Sequence, residues 1–442
     1  MLAGRDPREA LIFDGGRPVA VGEFLARCGS LARRLDGGRT VLNLCERRTG
    51  FLMAFVAALR ARCTTLLPSS RAPEVVGHVR ELYPGCLTVE DKDLNLNPGL
   101  KWTAASTAAY AAGDTCTTPD DHVAMIGFTS GSTGEPSRHE KVWRVVAAST
   151  AHNEATIRAA LPHGDRQRMP WIVGTVPSQH MYGIELTVLL PLLANMGIHG
   201  SRPLLPAEVA AALDEVPRPR ILVSTPAHLR AIIASGVPLP PVDVTISATA
   251  PLDGSLARAV EDATRGILVE MFGSTETCIL GSRRTALESS WHPYPGVRFT
   301  PDENGTSVAA PWFLRNEHLQ DVIETDPAGQ FRLIGRSSDL VDVAGKRASL
   351  ADLTQRIMRI PGVMDAVVFQ PEESRGLVRR LAALVVAPGL TNAQIRAALE
   401  GAIDSAFMPR PLVILDSLPR TTAGKLPRSA LEAALRYHQR ND

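Results

Sequence analysis

No apolar run reaches the ~18 residues that a transmembrane helix needs, and residues 1–6 lack the pattern of a signal peptide. We therefore expect neither a membrane span nor a secretory leader. The six cysteines form no C-x-x-C pair and have no histidine partners at zinc-ligand spacing, which favours reduced thiols in a cytoplasmic protein. Charge of one sign is also missing, because 47 Lys and Arg balance 46 Asp and Glu, so a nucleic-acid partner is not indicated.

Two common nucleotide-binding signatures are absent as well. A Walker loop needs G-x-x-x-x-G-K followed by Ser or Thr, but Lys346 and Lys425, which follow glycines, precede Arg and Leu. No G-x-G-x-x-G follows a predicted strand. Any nucleotide site must therefore be built in another way.

What the chain has is length and a regular alternation of elements. Its 442 residues, 45% hydrophobic and 21% charged, are typical of a soluble globular protein with two domains. Strands at 40–44 and 64–68 flank a helix at 50–61, which is the βα alternation of a mostly parallel α/β sheet. The predicted division is a large domain over residues 1–336 and a small mobile α+β domain over 337–442. In the small domain we predict these elements: helix 348–359, strands 363–369 and 379–386, helix 391–406, strand 411–415 and helix 427–438.

The most informative stretch is Thr-Ser-Gly-Ser-Thr-Gly-Glu-Pro over residues 129–136. It follows an apolar strand at 123–128 and precedes a predicted helix at 138–161. Glycines let the backbone approach an anion, and hydroxyls add neutral donors, so a strand–loop–helix of this kind predicts a phosphate cradle. An ordinary Gly/Ser turn is the alternative. The predicted phosphate ligands are Thr129, Ser130, Gly131, Ser132, Thr133 and Gly134.

The loop resembles the T-S-G-S/T-T-G-x-P-K signature of the adenylate-forming superfamily, which comprises acyl- and aryl-CoA ligases, peptide-synthetase adenylation domains and luciferases. Ser137 stands where that family has Lys. Arg138 and Lys141 are the candidates for supplying the missing positive charge to the triphosphate.

Two further stretches resemble the family in the same order along the chain. Residues 177–183 resemble P-x-x-H-x-x-G, which implies that His180 lies beside the carboxylate of the substrate and that Tyr182 and Gly183 line the acyl pocket. Without the resemblance, a structural role for His180 is the more common one. Residues 247–252 resemble S/G-G-A-x-P-L, whose first residues flank the adenine and the acyl group, here Ser247, Ala248 and Thr249.

The strand at 267–272 ends in a stretch that resembles Y-G-x-T-E, with Phe272 in the aromatic position followed by Gly273 and Ser274. Magnesium bound to a polyanion prefers a hard oxygen ligand, a role that fits Glu276. Thr275 fits a hydroxyl donor to the α-phosphate. Small residues that follow, Cys278 and Gly281, would leave room for a flat or slim acyl group.

The C-terminal third carries the last matches. Asp321 stands where the family has the Asp of T-G-D, which binds the ribose together with Arg336. The resemblance further implies a hinge at Ser338, a thiol tunnel at Gly345, and a catalytic Lys425 within P-x-T-x-x-G-K. A basic turn before the last helix is the alternative for the last stretch.

The resemblance implies ATP- and Mg²⁺-dependent activation of a small-molecule carboxylic acid to an acyl-adenylate, then transfer to the phosphopantetheine thiol of CoA or of a carrier protein. The chain looks most like aryl ligases of xanthomonadin-type pigment pathways, so a hydroxybenzoate is the expected acid. An arginine cluster would suit an acidic acyl carrier protein, or form an ordinary solvated face: Arg356, Arg359, Arg375, Arg379 and Arg380. A medium-chain fatty acyl ligase and a non-catalytic nucleotide-binding regulator are the alternatives.

Overall fold

The structure is a computed structural model that describes residues 2, 4–94, 117–130, 136–302, 305–336, 340–343, 346–371, 380–420 and 426–439. The chain divides into two compact units, the first formed by residues 1–297 and 310–315 and the second by 298–309 and 316–442. The predicted boundary at 336/337 lies inside the second unit, because strands between 298 and 336 pack against one another and against the first helix of the C-terminal part. A pivot at 337–338 stays a prediction.

The first unit is built on two mostly parallel sheets. Its described strands are β1 (Ala10–Asp14), β2 (Arg17–Ala20), β3 (Thr40–Asn43), β4 (Thr64–Leu67), β5 (Leu87–Val89), β6 (Val123–Ser130), β7 (Pro136–Val142), β8 (Trp171–Gly174), β9 (Gly197–His199), β10 (Arg220–Ser224), β11 (Val244–Ser247), β12 (Ile267–Ser274), β13 (Cys278–Arg283) and β14 (His292–Pro293). One sheet has the order β14-β13-β12-β11-β10-β8-β9-β1-β2 and the other β5-β3-β4-β6-β7. Antiparallel pairing is found at the ends of these sheets, between β1 and β2 and within β12, β13 and β14 in the first sheet, and between β6 and β7 in the second.

The described helices of this unit are α1 (Val21–Arg34), α2 (Arg48–Arg60), α3 (Pro73–Leu82), α4 (Trp143–Ala160), α5 (Met181–Ile184), α6 (Leu190–Leu193), α7 (Pro206–Asp214), α8 (Pro226–Ser235) and α9 (Gly254–Thr264). Short 3₁₀ turns span Asp91–Leu94 and His163–Asp165, and a π-helical turn, Glu185–Leu189, joins α5 to α6. Helix α2 is buried over all its residues except the last. Its apolar residues on every face fit that position, since a helix that is apolar all round belongs in a core.

The predicted helix from Arg138 was wrong at its start. Residues 136–142 form β7, which pairs with β6 as an antiparallel hairpin, and helix α4 begins only at Trp143. Burial here follows the two-residue period of a strand, because Arg138 and Glu140 are exposed, His139 is half-buried and Lys141 is buried. The phosphate loop therefore connects two strands rather than a strand and a helix.

The second unit is α+β, as predicted. Its described elements are β15 (Arg298–Asp302), β16 (Gly305–Ala309), β17 (Glu317–Leu319), β18 (Asp321–Thr325), β19 (Phe331–Arg336), β20 (Leu340–Val343), β21 (Lys346–Ser349), α10 (Leu350–Met358), β22 (Asp365–Phe369), β23 (Ala382–Val386), α11 (Asn392–Leu399), a 3₁₀ turn (Ser405–Phe407), β24 (Leu412–Ile414) and α12 (Arg428–Gln439). Strands β22, β23 and β24 form a three-stranded sheet, and β23 is buried throughout. The predicted helix over 391–406 ends at Leu399, because Glu400 turns extended and Gly401 adopts a left-handed φ of 86°. No helix among the described residues of either unit is long and apolar enough to cross a membrane.

Gly266 is where a close backbone contact excludes a side chain in the first unit. A Cβ there would lie 1.9 Å from the carbonyl oxygen of Val242, next to the start of β11. We expect Gly266→Ala to lower the free energy of unfolding by about 1–3 kcal/mol, because backbone must move to admit the methyl group. Gly77→Ala is the control, since no atom lies within 4 Å of a Cβ at that helical position. Urea unfolding should show a loss only for Gly266→Ala, and equal midpoints would contradict this prediction.

Candidate functional site

Four neighbouring parallel strands end at one edge of the nine-stranded sheet, which we call the carboxyl edge. Strands β8, β10, β11 and β12 lie side by side, so their carboxyl ends meet there. Ligands of open α/β sheets bind outside such an edge. The segment with His180, the turn at Ser247 and the turn with Glu276 follow three of these strands. The fold thus brings together three stretches that are far apart in the sequence.

Tyr182 anchors the segment after β8 to this edge. Its hydroxyl donates to the backbone carbonyls of Ser224 (2.9 Å) and Ile246 (3.0 Å), at the ends of β10 and β11. Burial raises the pKa of Tyr182 well above its usual value, so the phenol stays neutral and a donor. Gly183 is packed as closely, since a Cβ there would lie 1.8 Å from the carbonyl oxygen of Pro177. Both residues therefore have packing roles, and lining an acyl pocket stays a prediction for them.

Arg48, which the sequence analysis did not single out, also binds the segment that follows β8. Its side chain is buried and donates to the carbonyls of Gly174 (2.9 Å) and Val176 (3.1 Å) and to the hydroxyl of Ser178 (3.2 Å). Its other donors reach the carbonyl of Ser201 (3.4 Å) and the hydroxyl of Thr187. Burial, and then the charge of Arg202, lower the pKa of Arg48 to about 9. These bonds fix the chain just before His180, which is half-buried and directly precedes α5. An arginine in an otherwise apolar helix was the available signal.

The turn after β11 has two unusual features. Ser247 is fully buried, and its hydroxyl has no hydrogen-bond partner among the residues that the structure describes. Ala248 is buried, whereas Thr249 is exposed and has a left-handed φ of 80°, which is costly for a β-branched residue. An unpaired buried hydroxyl beside a strained turn is typical of a position that a ligand completes.

The segment from Ser274 to Cys278, which we call the Glu276 turn, joins β12 to β13. The hydroxyl of Ser274 accepts the N–H groups of Glu276 (3.2 Å) and Thr277 (3.3 Å), which closes the turn. The side chains of Thr275 and Glu276 are half-buried, and that of Glu276 keeps 37% of its surface exposed. The carboxylate is therefore held at the carboxyl edge and remains accessible.

Two basic side chains of β7 lie against this turn. Nε2 of His139 is 3.6 Å from Oε1 of Glu276, and the ammonium of Lys141 donates to the carbonyl oxygen of Glu276. Burial raises the pKa of Glu276, but the hydrogen bonds from Ser274 and from its own backbone, with the charges of His139 and Lys141, bring it below its usual value. Glu276 is thus ionised at neutral pH and offers the hard oxygen that Mg²⁺ prefers, and its role as a magnesium ligand stays a prediction. The described part of the chain contains no cluster of three His, Cys, Asp or Glu that could hold a metal ion.

The residues around the turn are tightly packed. Phe272 contacts the ring of Trp291 with 5.7 Å between the centroids. The guanidinium carbon of Arg283 lies 4.3 Å from the centroid of the same Trp291 ring. A Cβ on Gly273 would lie 2.2 Å from the carbonyl oxygen of Cys278, so this position requires glycine. Cys278 and Gly281, predicted to leave room for the acyl group, are buried in β13.

In the second unit, the predicted ribose residues are directly opposite each other. Asp321 pairs with Arg336 in the register of β18 and β19, so two residues fifteen positions apart become cross-strand neighbours. Of the predicted arginine cluster, Arg356 binds Asp352 (2.8 Å) and the carbonyl of Ala402 (2.6 Å), which favours the ordinary solvated face for it.

Several predicted residues lie outside the described part of the chain. These are Gly131, Ser132, Thr133, Gly134, Ser338, Gly345, Arg375, Arg379 and Lys425, together with the side chains of Thr129, Ser130 and Arg336. Of the two proposed substitutes for the missing lysine at Ser137, Arg138 is exposed and Lys141 is buried against the Glu276 turn.

Comparison with solved structures defines the class of the fold. ATP-bound MatB from Rhodopseudomonas palustris superposes with a TM-score of 0.77 at 19% identity, over 98% of this chain and 96% of that one. The fold is therefore the α/β architecture of adenylate-forming enzymes, with a large N-terminal and a smaller C-terminal part, as predicted.

Sequence comparison then gives the family. Residues 2–302 match the family model of the AMP-binding enzyme, and residues 354–425 match that of the AMP-binding enzyme C-terminal domain. The chain belongs to the AMP-binding enzyme family, and it is an ATP-dependent acid–thiol ligase. Its relatives include a 4-coumarate–CoA ligase from Rhodobacter capsulatus, 28% identical over 300 residues (67% of this chain, 73% of the relative). A 4-chlorobenzoate–CoA ligase from an Arthrobacter species is 24% identical over 388 residues (78% and 71%).

Tyr182→Phe separates a packing role from a pocket role. Removing the hydroxyl takes away its hydrogen bonds to buried carbonyls of β10 and β11, so we expect a loss of about 1–3 kcal/mol in the free energy of unfolding. The preference among carboxylic acids should stay as in the unmodified enzyme. Tyr437→Phe is the control, because that ring is 66% exposed. Wild-type stability combined with a changed acid preference would show that Tyr182 acts in the acyl pocket instead.

Proposed function

We propose that this enzyme activates an aromatic carboxylic acid, a hydroxybenzoate in the first instance, and transfers it to a phosphopantetheine thiol of CoA or of an acyl carrier protein. The observation that carries the proposal is the ionised, accessible carboxylate of Glu276 on a braced turn at the carboxyl edge. Glu276 would hold Mg²⁺ against ATP. The ion supplies charge neutralisation to the phosphates.

The chemistry follows from charge. A carboxylate that attacks the α-phosphate of ATP brings two anions together, so the enzyme must stabilise negative charge on the α-phosphoryl group and on the leaving pyrophosphate. The loop at 129–134 would bind the β- and γ-phosphates, and Thr275 the α-phosphate. Asp321 and Arg336 would bind the ribose, and Lys425 would contact the substrate carboxylate and the α-phosphate. The product is an acyl-adenylate, whose mixed anhydride then reacts with the thiol.

The second half-reaction is proposed to need another arrangement of the same chain. Ser338 would act as the hinge, and Gly345 would line the path of the phosphopantetheine thiol. Alternation of this kind gates two reactions at one site without adding chemistry.

An aromatic acid is supported by two observations. The relatives named above are, by their names, ligases of 4-coumarate and of 4-chlorobenzoate. Strand β13 also has two small residues near the Glu276 turn: Cys278, which is the last residue of that turn, and Gly281. The resemblance to aryl ligases of xanthomonadin-type pathways points the same way, and it supports a carrier protein as well as CoA as the acceptor.

A panel of carboxylic acids tests the function. Pyrophosphate release should be greatest with hydroxybenzoates, lower with cinnamates, and lowest with saturated acids of six to ten carbons, because a slim pocket favours a flat ring. Running each acid with and without CoA distinguishes the acceptors, since a carrier-protein enzyme should form adenylate but no CoA thioester. Preference for the saturated acids would replace this proposal with a medium-chain acyl ligase.

Lys425→Ala should separate the two half-reactions. We expect adenylation to fall by about 10²–10³-fold, the scale of losing one charge-stabilising donor, whereas thioester formation from pre-made acyl-adenylate should persist. Single-turnover assays of each step provide the measurement. Lys92→Ala is the matched control, because Lys92 is an exposed lysine that pairs with Glu90. If both steps fell equally, Lys425 would not have the role assigned to it.

A further inference from the structure

Two buried ionisable side chains from other elements form hydrogen bonds with the backbone at the Glu276 turn. Lys141 on β7 is 5% exposed, and its ammonium donates to the carbonyl oxygen of Glu276. Glu185 is 1% exposed, and its Oε2 accepts the N–H of Ile279 at 3.2 Å. One contact lies before Cys278 and the other after it. The backbone is therefore held before and after Cys278, and water does not compete for these two hydrogen bonds because both side chains are buried.

The backbone between these two contacts needs such support. Cys278 adopts a left-handed φ of 63°, which is unfavourable for a residue with a Cβ. The register of β12 and β13 also shifts between Phe272 and Gly273, where the hairpin leaves regular pairing. A strained conformation persists only where its surroundings determine it. Without the two contacts, the carbonyl of Glu276 could rotate, and its carboxylate would move with it.

Glu185 is itself placed by elements remote from the turn. It is the first residue of the π-helical turn, and helix α4 supplies two donors to its Oε2, Ser149 at 2.6 Å and Asn153 at 3.3 Å. Asn153 is in turn fixed by the hydroxyl of Tyr294 at 2.8 Å. Burial raises the pKa of Glu185, whereas these bonds and the positive charge of Lys141 favour its ionised form. The carboxyl group of Glu185 is therefore held inside the first unit by three hydrogen bonds, from Ser149, Asn153 and Ile279.

We propose that Lys141 and Glu185 are positioning residues that hold the Glu276 turn in the geometry that binds Mg²⁺. This inference rests on the proposed role of Glu276. It assigns to Lys141 a contact behind the carboxylate, on the carbonyl of the same residue, rather than a contact with the triphosphate. Neighbours of metal ligands act in this way generally, and their loss weakens metal affinity by about 10–100-fold.

The test compares ATP binding with and without Mg²⁺, measured by calorimetry on the full chain. A buried charge left without compensation destabilises a protein, so the main variant is Lys141→Met combined with Glu185→Gln, which removes the donor to Glu276 and both buried ionisable groups. We expect its ATP affinity in excess EDTA to match the wild type. Mg²⁺ increases the affinity for ATP, and the Mg²⁺ concentration that gives half of this increase should be about 10–100-fold higher for the double variant than for the wild type. Lys92→Met, an exposed lysine change, should alter neither quantity.

Glu276→Gln distinguishes a failure of the positioning role of Lys141 and Glu185 from a failure of the Mg²⁺-binding role of Glu276. If Glu276→Gln loses the Mg²⁺ response but the double variant keeps it, the positioning role is overturned and the role of Glu276 stands. If Glu276→Gln keeps the response, Glu276 does not bind the ion and both proposals fall. Should the double variant not fold, Lys141→Met decides, because it removes the donor to the carbonyl oxygen of Glu276 and leaves the contact between Glu185 and Ile279 in place. A reduced Mg²⁺ response supports the inference, and an unchanged one overturns it.

Discussion

Buried backbone groups at the carboxyl edge must be hydrogen-bonded inside the protein, and this constraint governs the first unit. A buried carbonyl without a donor costs as much as a lost hydrogen bond, so the polar groups that follow β8, β10, β11 and β12 need partners. Arg48, Tyr182 and Lys141 supply them from a helix, a helix start and an edge strand. The edge is thereby given its shape before any ligand binds, which is what preorganised electrostatic catalysis requires.

Charge is buried at this edge at considerable cost, and the cost is offset in different ways. Arg48 places all its donors on neutral oxygens, carbonyl or hydroxyl, so its stability depends on complete hydrogen bonding. Glu185 instead has hydroxyl, amide and backbone donors around its carboxyl group, and the charge of Lys141 also favours its ionised form. Such groups are poor stabilisers compared with apolar side chains. Their value lies in fixing the two segments that bear His180 and Glu276.

Family membership and the edge geometry support one chemistry, in which two anions are brought together under a bound cation. The proposed reaction draws residues from both units, with Glu276 and Thr275 in the first and Asp321, Arg336 and Lys425 in the second. The hairpin of β6 and β7 has two parts in that proposal, because the predicted phosphate loop connects its strands and β7 carries basic side chains that lie against the Glu276 turn. His139 and Lys141 reach this turn together because residues two positions apart lie on the same face of a strand.

The family, the α/β class and strands such as β3, β4, β6 and β12 could be predicted from the sequence, because apolar runs of strand length and ordered motifs are local signals. Glu276 and its turn could be named in the same way. The contacts that hold this turn could not be predicted, because they depend on the folded chain. Lys141 and Glu185 are 44 residues apart in the sequence and meet the turn from elements that no local pattern relates to it. The motif predicted pocket roles for Tyr182 and Gly183, and these stay predictions. The structure adds packing roles that the motif could not indicate, because the hydroxyl of Tyr182 meets carbonyls at the ends of β10 and β11 and Gly183 lies against the backbone of Pro177.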